Sequence, residues 1–258
     1  MNNSIFTYIA IFYFGAIWGS FFVTLAIRYI NNTFSENPIK GLTERSRCPQ
    51  CNAPVGVIGL IPIFGYFIIK GRCTHCKNSI PLLYPLFELT YGLLVLLIIS
   101  KLGISAFSVI SVVIAGIGAS ITLIDLKTMR IPDSLVIAFA LFSFYPAIYD
   151  GQYLENLYGL LFLGGFFLII LFIFPGGFGG GDLKLATAIG FNLGINLSIV
   201  ALEIALISGA IIGLTYGLLS GRGLRIKIPF GPFLYFSYLI SLLWGNDIFL
   251  LYMNFAGK

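Results

Sequence analysis

The feature that most constrains this chain is a succession of apolar stretches, each long enough to cross a bilayer and separated by short polar turns. A spanning helix needs about 20 mostly apolar residues. Stretches of that kind lie at 5–27, 83–100, 104–125, 134–149, 157–174, 184–200, 201–219 and 229–250. They predict an all-α, polytopic helical bundle of about eight transmembrane helices. Asn192, Asn196 and Glu203 interrupt the apolar pattern near the sixth and seventh stretches and predict a turn there. Composition agrees: 58% of the 258 residues are hydrophobic and 10% charged, whereas a soluble domain carries roughly 25% charged residues. A water-soluble core cannot absorb that much apolar surface, but lipid can. The first stretch has no positively charged start and is longer than the roughly 7–15 apolar residues of a secretory signal. It ends at Arg28 rather than at a small-residue cleavage site, so it reads as a retained transmembrane helix.

Lys and Arg set the orientation, because they accumulate on the cytoplasmic side. With both termini outside, 13 of the 15 basic residues fall on the inner side, and only Lys101 and Lys258 do not. The basic excess is thus a topology signal. The expected partners are membrane lipid and a substrate, not nucleic acid, and the expected location is the inner (cytoplasmic) membrane. Three regions follow: a first helix at 1–28, a cytoplasmic loop at 29–82, and a membrane domain at 83–258. No internal repeat is evident.

The loop carries all four cysteines, as CPQC at 48–51 and CTHC at 73–76, with 21 residues between the pairs. Two C-x-x-C knuckles at this separation fit a four-thiolate structural zinc site formed by Cys48, Cys51, Cys73 and Cys76. A metal would order a segment whose own apolar content is small. Disulfides or free thiols are the other readings, and a reducing compartment disfavours the former. His75 lies inside the second knuckle and reads as a surface residue.

Ten acidic residues are few enough to weigh singly. Asp125 ends the third stretch and Asp182 begins the sixth. The chain crosses twice between them, so both return to the cytoplasmic side. Ionisable groups at membrane depth are costly and usually functional. Asp125 could instead pair with Lys127 or Arg130, and Asp182 could cap its helix; Asp133 reads as a cap. The glycines from Gly176 to Gly181, broken only by Phe178, allow close backbone approach and unusual conformations. Gly179, Gly180 and Gly181 therefore read as a loop that meets substrate, mobile when empty. Two nearby carboxylates share a proton. One can then deprotonate water while the other polarises a peptide carbonyl, which is hydrolysis without a metal or a covalent nucleophile. Glu88 and Lys184 are candidate accessory residues, Glu88 having an ion pair with Lys77 or Arg72 as its alternative.

The sequence resembles the type IV prepilin peptidases, membrane aspartic proteases with a GxGD motif. The resemblance rests on GSF at 19–21, the stretch from SRCPQC to KGRCTHC followed by IPLLYPLFE, IDLKTMRIPD, FGGGDLK and IPFGPFL at 228–234, in that order. It implies that Asp125 and Asp182 are the catalytic aspartates. It also implies cleavage of prepilin or pseudopilin leaders after a glycine, and in many members N-methylation of the product with S-adenosylmethionine. This chain departs at Val23, where an asparagine is common, and at Gly65, where a serine is frequent. The other readings are a proton- or cation-coupled transporter, whose matching halves are not visible here, and a non-catalytic pilus assembly protein.

Overall fold

The computed structural model describes residues 5–31, 44–48, 50–174, 177–220 and 227–256. Among them the chain is helical: α1 (Ile5–Ile30), α2 (Phe64–Ile68), α3 (Leu83–Leu102), α4 (Ala106–Thr128), α5 (Asp133–Asp150), α6 (Tyr153–Ile173), α7 (Gly180–Leu219) and α8 (Gly231–Ala256). A 3-10 turn at Val57–Leu60 precedes α2. Of the described helices, α1, α3, α4, α6, α7 and α8 are long and apolar enough to cross a membrane, and α5 is a shorter apolar helix. Large apolar side chains such as Phe6, Phe172, Leu219 and Phe255 lie exposed on the outside. This is a multi-pass membrane protein.

The expected boundary between the sixth and seventh stretches is displaced. Residues 180–219 form one 40-residue helical run, interrupted at Gly194 rather than at 200/201. At about 1.5 Å per residue this run is twice the thickness of a bilayer core, so the interruption divides it. Gly194 adopts φ 72°, ψ 176°, a conformation open in practice only to glycine. Breaking the helix frees carbonyl groups that lipid cannot satisfy. Asn156 of α6 donates its Nδ2–H to Phe191 O at 2.6 Å, and the Ser198 hydroxyl lies 3.5 Å from Gly190 O. The break falls between Asn192 and Asn196 as the polar interruption predicts, away from Glu203, and Asn192 donates to Ser143 Oγ of α5 at 3.0 Å.

The chain divides into two compact units, residues 1–112 and 113–258. In the first, α1 packs along α3 through glycines. A Cβ on Gly15 would lie 2.7 Å from Val95 Cβ, and one on Gly19 would lie 3.0 Å from Tyr91 Cβ. In the second, α7 packs against α6, α8 and α5. A Cβ on either Gly159 or Gly190 would collide with the other's carbonyl oxygen. Lipid tails are as apolar as leucine, so membrane helices associate by close packing, and small residues permit it.

Candidate active site and metal centre

Charged side chains are excluded from the interior with three exceptions among the described residues: Asp125 at 4% exposure, Glu88 at 7% and Asp182 at 9%. All three belong to the set picked from sequence, and each accepts a backbone N–H.

Asp125 lies in the last turn of α4. Its neighbours Lys127 and Arg130 are exposed, and the Asp125 carboxyl instead accepts from Gly231 N–H through Oδ2 at 2.9 Å. That bond joins positions 106 residues apart. Asp182 is the third residue of α7, not its cap. Gly179 occupies the cap position, and Asp182 Oδ2 accepts the Gly179 N–H at 2.9 Å. Glycine has no side chain to reciprocate, so this is one half of a capping box.

The glycine run does its work by closeness and not by unusual dihedrals. Gly179 has φ −88°, and none of Gly177 or Gly179–Gly181 has positive φ; Gly176 lies outside the described residues. A Cβ on Gly181 would lie 2.8 Å from Ile131 Cβ, whereas one on Gly180 would meet nothing within 4 Å. Gly181 therefore lets the start of α7 settle against the chain leaving α4. The segments that carry Asp125 and Asp182 thus meet at Ile131 and Gly181. Lys184 Nζ pairs with Asp133 Oδ1 at 2.8 Å, both side chains more than half exposed. Asp133 is the first helical residue after the cap position, Pro132, and makes no capping bond.

Glu88 belongs to the first unit. Its Oε2 accepts from Ile63 N–H at 2.7 Å, and Ser20 adds a side-chain hydrogen bond. Neither Lys77 nor Arg72 pairs with it among the described ion pairs. Ile63 sits at φ 63°, ψ −63°, and Phe64 N–H donates to Pro62 O at 2.7 Å. This is the rare positive-φ γ-turn, here centred on a β-branched residue for which positive φ is an outlier. Glu88 thus fastens a strained turn to α3.

The thiols converge. The ligand atoms of Cys48, Cys51, Cys73 and Cys76 lie within 4.8 Å of one another. The Cys48–Cys76 and Cys51–Cys73 sulfurs are each 3.8 Å apart. Zinc–sulfur bonds of about 2.3 Å in a tetrahedron give an edge of about 3.8 Å, so the cluster can hold a metal. The cysteines are free thiols. The second knuckle repeats the first bond for bond. Asn52 N–H donates to Cys48 O and Cys48 N–H to Ala53 O, as Lys77 donates to Cys73 O and Cys73 to Asn78 O. Asn52 and Lys77 both take positive φ, and bridges Arg47–Pro54 and Arg72–Ser79 close the two turns. The sequence reading missed this repeat because RCPQCNAP and RCTHCKNS are too short to register in hydropathy.

Amide N–H groups of Cys76 and His75 point at the Cys73 sulfur and hold its thiol down, to about 6. Those of Cys51 and Gln50 lower Cys48 likewise. Cys76 is pushed up to about 11: the Asn78 amide opposes this, and burial with the neighbouring sulfurs outweighs it. Four crowded sulfurs cannot all ionise alone, and a cation removes that conflict. His75 is exposed and outside the cluster.

The contact that sequence reasoning misses is Gly231 on Asp125. IPFGPFL is visible in the sequence only as a point of resemblance, and nothing in its spacing assigns it a partner.

Two family models cover most of the chain. Residues 13–102 match the Bacterial Peptidase A24 N-terminal domain, and residues 112–214 match the Type IV leader peptidase family. The chain is similar to a prepilin leader peptidase/N-methyltransferase of Bacillus subtilis (strain 168), 31% identical over 250 residues, covering 95% of this chain and 98% of the relative. A protein of the same name from Aeromonas salmonicida (strain A449) is 31% identical over 228 residues, 83% of this chain and 76% of that one. One from Legionella pneumophila is 32% identical over 224 residues, covering 82% and 76%. No solved structure matches significantly. With a relative aligned over nearly its whole length and both family models in succession, this chain belongs to the type IV leader peptidase family.

Proposed function

We propose that this protein is a membrane aspartic endopeptidase that removes the leader from type IV prepilins or pseudopilins after a glycine, with Asp125 and Asp182 as its catalytic pair. The observation that carries this reading is the pair's setting. Two buried carboxyls on touching segments each have Oδ2 engaged by a glycine N–H, which leaves Oδ1 of each for chemistry. A water between them loses a proton to the ionised partner and attacks the peptide carbonyl. The protonated partner hydrogen-bonds the carbonyl oxygen and then supplies the proton that the leaving amine needs. Neither step requires a metal. Gly179–Gly181 are the cap and first turn of α7 and not a free loop; they lie beside the pair, and an unwound substrate segment pairs with the backbone exposed at Gly179 and Gly180.

Cys48, Cys51, Cys73 and Cys76 hold one structural zinc in this reading; a closed four-sulfur shell leaves no open position for catalysis. The protein lies in the cytoplasmic membrane with both termini outside, the active site and the cysteine module facing the cytoplasm. N-methylation of the product with S-adenosylmethionine is favoured by the relatives' names. It is opposed by the two departures at Val23 and Gly65: Val23 is fully buried, and a Cβ at Gly65 would collide with the Ile58 carbonyl oxygen.

The test is cleavage of a candidate prepilin by the purified protein, with the product's N-terminus sequenced and weighed. A cut after the leader glycine is expected, and the mass reads methylation in the same experiment. Wild-type cleavage by Asp125→Asn or Asp182→Asn would end the dyad reading, and no cleavage by the wild type would favour an assembly role.

A further inference from the structure

The first residues of α8 touch both carboxylate-bearing segments. Gly231 N–H donates to Asp125 Oδ2 at 2.9 Å, in a buried setting. A first-turn amide has no partner within its own helix, and it lies at the positive end of the helix dipole. The fit leaves no room for a side chain, since a Cβ on Gly231 would lie 2.7 Å from that same oxygen. The preceding residue reaches the other way. The Phe230 ring meets the Phe178 ring edge-on at 4.7 Å, and both rings rest against Phe167 of α6 at 5.9 and 5.4 Å. Gly209 of α7 makes space for the Phe230 ring, where a Cβ would lie 2.9 Å from Cε2. Phe178 is followed directly by Gly179, whose N–H holds Asp182 Oδ2.

We infer that Phe230 and Gly231 are positioning residues that set the two carboxyls in register, Gly231 through its N–H on Asp125 and Phe230 through Phe178 and the Gly179–Asp182 bond. One peptide unit thereby fixes two groups that the sequence places on different helices. It also fixes which oxygens react: both amides take Oδ2, so water and the shared proton meet Oδ1. The inference rests on the proposed catalytic pair and adds the element that aligns it.

The experiment measures kcat and KM for prepilin cleavage by the full-length protein in detergent. The variants are Gly231→Ala, Phe178→Ala, Phe230→Ala and the double alanine variant, with Asp125→Asn beside them. Gly231→Ala should lower kcat by roughly 100-fold, the effect of misplacing a catalytic group by about an ångström, with KM unchanged and the pH profile of kcat displaced. Phe178→Ala and Phe230→Ala should each lower kcat, and the double variant should be no worse than the worse single one, because both remove the same contact. A wild-type kcat in Gly231→Ala, an effect confined to KM, or additive ring variants would overturn the inference. If Gly231→Ala does not fold, the ring cycle decides. Wild-type cleavage by Asp125→Asn would instead remove the catalytic pair itself. An inactive Asp125→Asn beside a fully active Gly231→Ala would refute the positioning role alone.

Discussion

The thiol cluster and the carboxyl pair are both made from two separated pieces of chain, but their pieces are shaped by different means. Each cysteine knuckle is folded by its own backbone: a tight turn, a short bridge and amides aimed at sulfur, all within a few residues. The two knuckles need only meet, and a metal would hold them together. The carboxyls have no such local frame on the Asp125 side. The Asp125 carboxyl takes its hydrogen bond from a residue 106 positions away, and Asp182 keeps its place because Gly181 lets α7 lie against Ile131. Damage to the first site should therefore appear as loss of the module, and damage to the second as loss of turnover in a folded protein.

The largest expected effect tests the second half of that contrast. Asp125→Asn and Asp182→Asn should each lower cleavage by at least about 10³-fold, within the range for general acid–base groups. The amide is near-isosteric and cannot exchange the proton, so detergent melting curves should stay close to wild type. Melting as large as that of a cysteine variant would erase the contrast.

Gly181→Val comes next. Its Cβ would overlap Ile131 and displace Asp182, and a loss of roughly 10²-fold in kcat is expected for a misplaced group. Gly180→Ala faces open space and should cleave nearly as wild type does. Equal rates for both would mean that the glycines set loop motion and not packing.

On the thiol side, Cys48→Ser or Cys73→Ser should abolish stoichiometric zinc, measured by metal analysis of freshly reduced protein. Steady-state abundance should fall several-fold, because binding energy is folding energy in such modules, while turnover per folded molecule changes little. Zinc-free wild-type protein of normal abundance would sink this expectation.

Glu88 gives a smaller, graded effect. Glu88→Ala leaves Ile63 N–H without its acceptor and should cost about 1–3 kcal/mol, the penalty of an unsatisfied buried donor, read as a lower melting temperature. Glu88→Gln keeps a carbonyl oxygen there and should recover most of it. The smallest effect belongs to Lys184→Ala. Its pair with Asp133 is exposed, and such pairs contribute about 0–1 kcal/mol.

Apolar length and charge asymmetry were enough to read a multi-pass helical bundle from the sequence, because lipid demands long apolar helices that satisfy their own backbone. Cysteine spacing was enough to read a four-sulfur cluster, because a knuckle is closed within a few residues. Scarcity of charge singled out Asp125 and Asp182, and depth together with the family resemblance added Glu88; these are the three buried carboxylates among the described residues. What these side chains touch was beyond that reading. Asp125 bonds Gly231, Glu88 bonds a strained turn at Ile63, and the long helix breaks at Gly194 between the asparagines. Each depends on which helix surfaces close on one another. That closeness is decided by where side chains are missing, at Gly159, Gly181, Gly190 and Gly231. A glycine in an apolar run has no periodicity that names its partner, so only the packed structure decides it.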